Sequence, residues 1–156
     1  PVQICPGITA ASAAAASGLA SLTLRGAARQ IVFLTAHVRG NEPLDLDWQR
    51  LAGAEATLAI YMGRAAAPMI ARNLIAAGRD PATPVMVAVN VSRPDERLLR
   101  GRLDALAFLV RTIGQDDPTL LLVGEAVAGT RNGDGAPRRA RARRAPAQTA
   151  ASQDRA

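Results

Sequence analysis

The chain offers few side chains that could carry out chemistry. Its one cysteine is Cys5 and its one histidine is His37. Their positions do not indicate a nucleophile–base pair, and a single thiol neither forms an internal disulfide nor builds a metal cluster. We expect Cys5, between Ile4 and Pro6, to be buried and inert. His37 follows an apolar run and either contacts a ligand at a strand end or is structural or exposed, and we favour the second interpretation.

The acidic residues that lie close together form three pairs in turn-like contexts: Asp45 with Asp47, Asp95 with Glu96, and Asp116 with Asp117. Such positions favour helix caps and solvated turns over a general acid/base dyad. The sequence therefore assigns no catalytic residue and no metal ligand.

Three loops stand out because each follows a predicted strand. Residues 6–12 join a turn to a helix N-terminus, where free N–H groups and the helix dipole favour a carboxylate. Residues 61–63 end a second strand, and Gly63 would let a ligand approach the backbone. Residues 89–92 end a third. If the strands are parallel, the three loops line one edge of the sheet as a pocket; otherwise they are ordinary connections.

Four short apolar runs predict strands buried on both faces, at residues 31–36, 57–62, 85–89 and 120–123. A more polar run, residues 97–100, predicts an edge or hairpin strand. Helical patterns lie between them, at residues 10–17 after the N-cap Thr9, near Trp48 after Asp45 or Asp47, at 65–77 and at 103–113. This alternation predicts an α/β fold with a mixed, mostly parallel sheet flanked by helices.

The net charge of +6 lies almost entirely in the last residues of the chain. Residues 130–156 are rich in Arg and Ala and contain almost no large apolar residue, so we expect a disordered tail. Its arginine run has no interleaved aromatic residue that would stack on bases, and we therefore expect a solvated segment rather than a nucleic-acid or other polyanion site.

Residues 1–129 have the length of one domain with a single core. No secretory signal and no apolar run long enough to cross a bilayer is recognisable, so we expect a cytoplasmic protein without a membrane partner. The first residue is Pro rather than Met, and an extended stretch, residues 2–5, follows it directly. This start predicts that the chain is part of a longer one.

An ordered set of short motifs resembles the uroporphyrinogen-III C-methyltransferases, a family that includes the methylase half of siroheme synthase. Residues 6–12 resemble the family's Pro-Gly-Ile-Thr-Ala-Ala-Ser segment, residues 46–48 its Leu-Asp-Trp segment and residues 61–63 its Tyr-Met-Gly segment. Further matches follow in order, at residues 22–25, 35–37, 74–78, 84–85, 97, 101 and 123–127. The resemblance covers residues 2 to about 128.

The resemblance implies a specific activity. Members of the family are homodimers in which two α/β domains enclose S-adenosylmethionine, and they methylate uroporphyrinogen III to precorrin-2 for siroheme and cobalamin biosynthesis. Carried over by position, Thr9, Ala10 and Met62 are expected to contact the cofactor, as is the backbone at Val91. The implied partners are thus the cofactor, the tetrapyrrole (uroporphyrinogen III or precorrin-1) and a second copy of the chain.

The chain also departs from the family pattern. From the resemblance we expect this chain to lack the family's N-terminal domain, with its Gly-rich cofactor loop and candidate proton-transfer residues. Val91 replaces a Gly and is expected to narrow the pocket, while Leu24 and Gly26 replace a His and a frequent Asp. The leading hypothesis is therefore a methyltransferase fragment that binds cofactor weakly and does not turn over alone. The alternatives are a non-catalytic dimerisation or partner module and a polyanion binder acting through the tail.

Overall fold

The computed structural model describes residues 2–37, 44–53 and 55–128. Five strands form one sheet within these ranges: Gln30–Thr35 (β1), Ala56–Tyr61 (β2), Pro84–Val89 (β3), Arg97–Arg102 (β4) and Thr119–Val123 (β5). The five strands predicted between residues 31 and 123 are all present, with ends shifted by no more than two residues, but residues 2–5 form no strand. The predicted disordered tail lies outside the described residues.

The sheet is mixed, as predicted, but it is mostly antiparallel rather than mostly parallel. The strand order is β1-β2-β5-β3-β4, and only the β1–β2 pairing is parallel. The hairpin between β3 and β4 reverses the chain, and the helical connection that follows β4 returns it to the edge where β3 ended. Consequently β5 enters between β2 and β3 from that edge and runs antiparallel to both, while β1, β2 and β3 still point the same way.

Four short helices accompany the sheet: Ala10–Ser17 (α1), Trp48–Leu51 (α2), Ala67–Ala76 (α3) and Leu106–Leu109 (α4). Asp47 caps α2 by accepting a hydrogen bond from the Arg50 N–H at 3.0 Å, as the sequence predicted for one of two aspartates. The predicted helix at residues 103–113 is broken into α4 and two flanking 3₁₀ turns, Leu103–Ala105 and Val110–Thr112. None of the helices described is long and apolar enough to cross a bilayer.

The two faces of the sheet are covered unequally. Helices α2, α3 and α4 cover one face over a large apolar core. On the other face, α1 and a 3₁₀ turn at Glu125–Val127 lie over a smaller core built around Ala59, Met86 and Leu122. The prediction that residues 31–36 form a strand buried on both faces is wrong, because β1 is an edge strand and Phe33 remains 49% exposed.

The segment before α1 does not join the sheet. Val2, Ile4 and Ile8 are each more than 80% exposed. The prediction that Cys5 is buried is therefore wrong: the thiol is exposed, because its apolar neighbours have no surface of the described structure to pack against.

The end of α1 is held closely against the sheet. Gly18 ends the helix, as predicted, and a Cβ atom at this position would lie only 2.7 Å from the Met86 sulfur and 2.9 Å from an Arg100 nitrogen. The same guanidinium of Arg100 donates to the backbone oxygens of Gly18 and Val127. Arg100 therefore joins α1 and the 3₁₀ turn at Glu125–Val127 to strand β4.

Candidate functional site

The three loops singled out from the sequence lie at one edge of the sheet. The carboxyl ends of β1, β2 and β3 meet there, together with the amino ends of β4 and β5 and the N-terminus of α1. The predicted pocket edge thus exists although the sheet is mostly antiparallel, because the inserted strand β5 leaves β2 and β3 pointing the same way.

The N-terminus of α1 is largely satisfied by the protein itself. Thr9 caps the helix, since its Oγ1 accepts from the Ser12 N–H at 3.1 Å, as predicted. The Ala13 N–H donates to the Thr9 carbonyl at 3.0 Å, and the Ala11 N–H donates to the Tyr61 hydroxyl at 3.3 Å. The Ala13 bond is the ordinary first bond of the helix, whereas the N–H groups of Ala11 and Ser12 have no helical acceptor and are satisfied by the two side chains. That this turn favours a carboxylate stays a prediction.

Met62 lies at the wall of a cleft of about 400 Å³. Its side chain is 58% exposed and its backbone has φ 53°, a left-handed conformation that is uncommon for a residue other than Gly. The cleft is lined by residues that follow β2 and by the loop that precedes β5: Tyr61, Met62, Arg64, Ala65, Gln115, Asp116, Asp117, Pro118 and Thr119. The surface that lines this cleft is more apolar than polar.

A smaller cavity of about 140 Å³ adjoins this cleft. Ala10 and Val91 line it, together with Leu120, and Tyr61, Pro118 and Thr119 line both spaces. The structure therefore brings Ala10, Met62 and Val91 to one composite cleft, with Thr9 adjacent to Ala10.

The hairpin turn that carries Val91 is constrained by left-handed residues and by hydrogen bonds within the turn. Asn90 and Ser92, on either side of Val91, have φ of 53° and 64°. The Asn90 Nδ2 donates to Asp95 Oδ2 at 2.6 Å, and the Ser92 N–H donates to Glu96 Oε2 at 2.5 Å. The hydrogen bond from the Ser92 N–H lowers the pKa of Glu96 below its ordinary value, and a hydrogen bond from the Ser17 hydroxyl lowers it further.

Val91 itself is not among the left-handed residues, so its backbone does not require Gly. The acidic pair of the hairpin acts in the turn, as the sequence indicated.

Gly63 has a different role from the one predicted. A Cβ atom there would lie 2.9 Å from Leu121 Cδ1 and 3.1 Å from Ile60 Cγ2. The residue is buried, and its missing side chain makes room for the core rather than for a ligand.

Two charged groups of the cleft, Arg64 and Asp117, are engaged with the protein, while Asp116 also lines the cleft and is exposed. The Arg64 guanidinium donates to the Ile113 carbonyl from Nη2 at 2.6 Å and from Nε at 3.1 Å. Asp117 accepts from Arg97 Nη2 at 2.9 Å and from the Gly114 N–H at 3.2 Å. These bonds fix the rim of the cleft, so the ligand surface they leave is mainly apolar.

The other candidate residues lie apart from the cleft. His37 is exposed and lines neither cavity. Leu24 and Gly26 belong to a turn that precedes β1, and thus lie toward the opposite end of that strand from the cleft. Within the described ranges, no group of three or more His, Cys, Asp or Glu residues is arranged to hold a metal ion.

Sequence reasoning missed the contribution of β5. Pro118, Thr119 and Leu120 line the cleft because the amino end of an antiparallel strand reaches the same edge as the carboxyl ends of β2 and β3. The predicted edge or hairpin strand at residues 97–100 was the available signal, since one reversal before the last helical segment is enough to turn β5 around.

Comparison with known proteins gives consistent matches over most of the chain. The family model of tetrapyrrole (corrin/porphyrin) methylases matches residues 1–107. Siroheme synthase 1 of Cronobacter sakazakii is 46% identical over 128 residues, and siroheme synthase of Gluconacetobacter diazotrophicus is 42% identical over 127 residues. Both alignments cover 81% of this chain, but only 26% and 27% of the two relatives. The chain thus spans about a quarter of the length of these relatives.

Solved structures agree with this assignment. A cobalt precorrin-4 methyltransferase of cobalamin biosynthesis superposes with a TM-score of 0.71 at 29% identity, covering 80% of this chain and 52% of that protein. The uroporphyrin-III C-methyltransferase of Thermus thermophilus, in complex with S-adenosyl homocysteine, superposes with a TM-score of 0.64 at 32% identity, covering 82% of this chain and 52% of that one. The chain belongs to the tetrapyrrole methylase family.

Proposed function

We propose that this chain supplies one wall of the S-adenosylmethionine cleft of a uroporphyrinogen-III C-methyltransferase, with Thr9, Ala10, Met62 and Val91 at the cofactor. Residues 1–129 would then be the C-terminal domain of that enzyme. The observation that carries the proposal is the convergence of three separate loops on one cleft, whose walls are mainly apolar. The ordered motifs and the match to siroheme synthases support the substrate class.

The cleft fits the nucleoside part of such a cofactor. Its larger space, about 400 Å³, is within the range of small-molecule sites. An aromatic ring from Tyr61 and the apolar side chains of Met62 and Leu120 offer surface to a purine, while Ala10 leaves room beside them. The Thr119 hydroxyl, which donates to the Asp117 carbonyl at 2.8 Å, provides a polar group at the wall.

S-adenosylmethionine, when bound, supplies the electrophilic methyl group of its sulfonium. The residues of this chain would bind and orient the nucleoside and keep water from it. We assign no proton-transfer role to the one histidine, which lines neither cavity, or to Asp117, which is engaged by Arg97 and Gly114. Asp116 is an exposed carboxylate of this wall. Proton removal from the methylated pyrrole carbon would fall to groups on the facing wall.

Methyl transfer needs the reacting carbon held in line with the methyl group, in a cleft closed on both sides. Here the wall is open, because Met62 is 58% exposed and Ile8, next to Thr9, is 83% exposed. We therefore propose that the chain in isolation binds cofactor without turning over, and that the working enzyme is a homodimer with a facing domain on each subunit.

Calorimetric titration of the full chain with S-adenosylhomocysteine tests the proposal. We expect saturable binding of S-adenosylhomocysteine and none of homocysteine alone, because the apolar wall recognises the nucleoside. A coupled assay with uroporphyrinogen III and S-adenosylmethionine should yield no precorrin-2. Lack of binding at millimolar S-adenosylhomocysteine would contradict the cofactor site, and precorrin-2 formation would contradict the need for a facing wall.

The exposed apolar side chains support a second candidate, a non-catalytic partner or dimerisation module. Ile8 and Met62 flank the cleft, and Val2 and Ile4 precede it, all of them largely exposed. Burying such a patch would favour self-association. Size-exclusion chromatography with light scattering on the full chain should then show a dimer, whereas a monomer at high protein concentration would argue against this module.

A further inference from the structure

Tyr61 lies in the cleft and contacts two other elements that are far from it in sequence. Its side chain lines both the larger and the smaller space. Its hydroxyl accepts a hydrogen bond from the Ala11 N–H at 3.3 Å, across 50 residues of sequence. Its ring lies 6.4 Å from the ring of Phe33, centroid to centroid, and its carbonyl accepts from the Ala36 N–H at 2.9 Å. Strands β1 and β2 and helix α1 thus meet at this one side chain.

Helix α1 has little else to fix its position at this end. The residues that it buries are Ala11, Ala14 and Ala15, whose methyl groups offer few shape-specific contacts. Arg100 and Gly18 hold the far end of the helix. At the near end, the other first-turn bonds are local to the helix, because Ser12 and Ala13 both donate to Thr9. The bond to Tyr61 is therefore the directional contact that ties the first turn to the sheet.

This bond sets the distance between two of the proposed cofactor contacts. Ala10 precedes the donor Ala11, and Met62 follows the acceptor Tyr61. A shift of α1 along its smooth alanine surface would move Thr9 and Ala10 relative to Met62 and alter the width of the cleft. The bond also uses an N–H group that an anion would otherwise take, which favours an uncharged part of a ligand at this turn.

We propose that Tyr61 is a positioning residue: its hydroxyl holds α1 against β2 and thereby places Thr9 and Ala10 opposite Met62 for cofactor binding. This inference rests on the proposed function for its cofactor part. Its structural part, the anchoring of α1, is independent of any ligand.

The test is Tyr61→Phe, which keeps the ring beside Phe33 and removes only the hydroxyl. Amide hydrogen exchange of Ala11, followed by NMR on the full chain, should be at least about tenfold faster in this variant. The matched control is Thr119→Val, which removes another hydroxyl of the same cleft without a bond to α1. In that control the exchange of Ala11 should match the unsubstituted chain.

The second readout separates positioning from stability. We expect Tyr61→Phe to weaken S-adenosylhomocysteine binding by about three- to tenfold, because the ligand must then restore the position of α1. The urea midpoint should fall only slightly, since the bond is also lost from the free chain. Unchanged exchange of Ala11 would overturn the inference, as would unchanged affinity with faster exchange. If the unsubstituted chain binds no S-adenosylhomocysteine, the proposed function fails instead, and the exchange of Ala11 alone decides whether the hydroxyl anchors the helix.

Discussion

Replacing Arg79 by Met should lower the free energy of unfolding by about 2 kcal/mol, the largest stability change that we expect from a single polar side chain. Arg79 is only 3% exposed and follows the C-terminus of α3. Its two terminal nitrogens donate to the backbone carbonyls of Gly53 and Ala56, the latter at 3.0 Å. Burial lowers the pKa of its guanidinium, and the charge of Glu125 partly offsets this effect.

The expected loss arises from the two carbonyls. Met fills much of the same volume and removes the cost of burying a charge, but it leaves both acceptors without their donor. These carbonyls belong to the connection that enters β2, so the strand loses its link to α3. Arg72→Met is the matched control, because Arg72 lies on α3, close to Arg79 in sequence, and is exposed. We expect a change within about 0.5 kcal/mol for this control.

Urea denaturation of the full chain, followed by circular dichroism, measures both variants. If Arg79→Met changes the free energy of unfolding no more than Arg72→Met does, the two carbonyls find other partners and the proposed link between α3 and β2 is not a stabilising one.

The strands and helices could be predicted from the sequence because their signals are local. An apolar run such as Leu120–Val123 predicts a strand through its composition alone, and Thr9 predicts a helix start through its own hydroxyl. The observed ends at Thr119 and Ala10 agree with these signals. Local chemistry also explains why the acidic pairs act as caps and turns.

Strand direction and sheet position could not be predicted in the same way. The runs at β1 and β2 are similarly apolar, yet β2 is buried throughout and β1 is half exposed at an edge. The difference depends on which strands lie beside each run. The composition of a run does not reveal its neighbours in the sheet. Cys5 was misjudged for the same reason, since its apolar neighbours imply a covering surface that the described structure does not provide.

The candidate site was predictable to the extent that its residues belong to recognisable motifs at strand ends. Ala10, Met62 and Val91 were placed correctly at one edge, whereas the part of Tyr61 in holding α1 depends on a contact across 50 residues. At the N-terminus of α1, the Thr9 hydroxyl could be predicted as an acceptor, whereas the Tyr61 hydroxyl could not. The sequence therefore predicts the short motifs, but not the contacts that these motifs make with residues far away in the chain.

Replacing Ala10 by Leu should weaken S-adenosylhomocysteine binding at least tenfold, the largest effect that we expect on the proposed cofactor site. Ala10 lines the smaller cavity of about 140 Å³, and a Leu side chain would fill much of it. Steric exclusion of this kind is worth about 1–3 kcal/mol per misplaced carbon group in an apolar pocket. The substitution is mild for the fold, because Leu is a good helix former and the position is only half-buried.

A substitution that enlarges the same small cavity complements this test. Val91 lines the same cavity, and the left-handed residues are its neighbours Asn90 and Ser92, so Val91→Ala should widen the space without disturbing the hairpin. We expect an affinity that is a few-fold higher than that of the unsubstituted chain, again by calorimetric titration. Opposite shifts in the two variants, at similar urea midpoints, would locate the nucleoside between these walls. Equal affinities in both variants would show that it binds elsewhere.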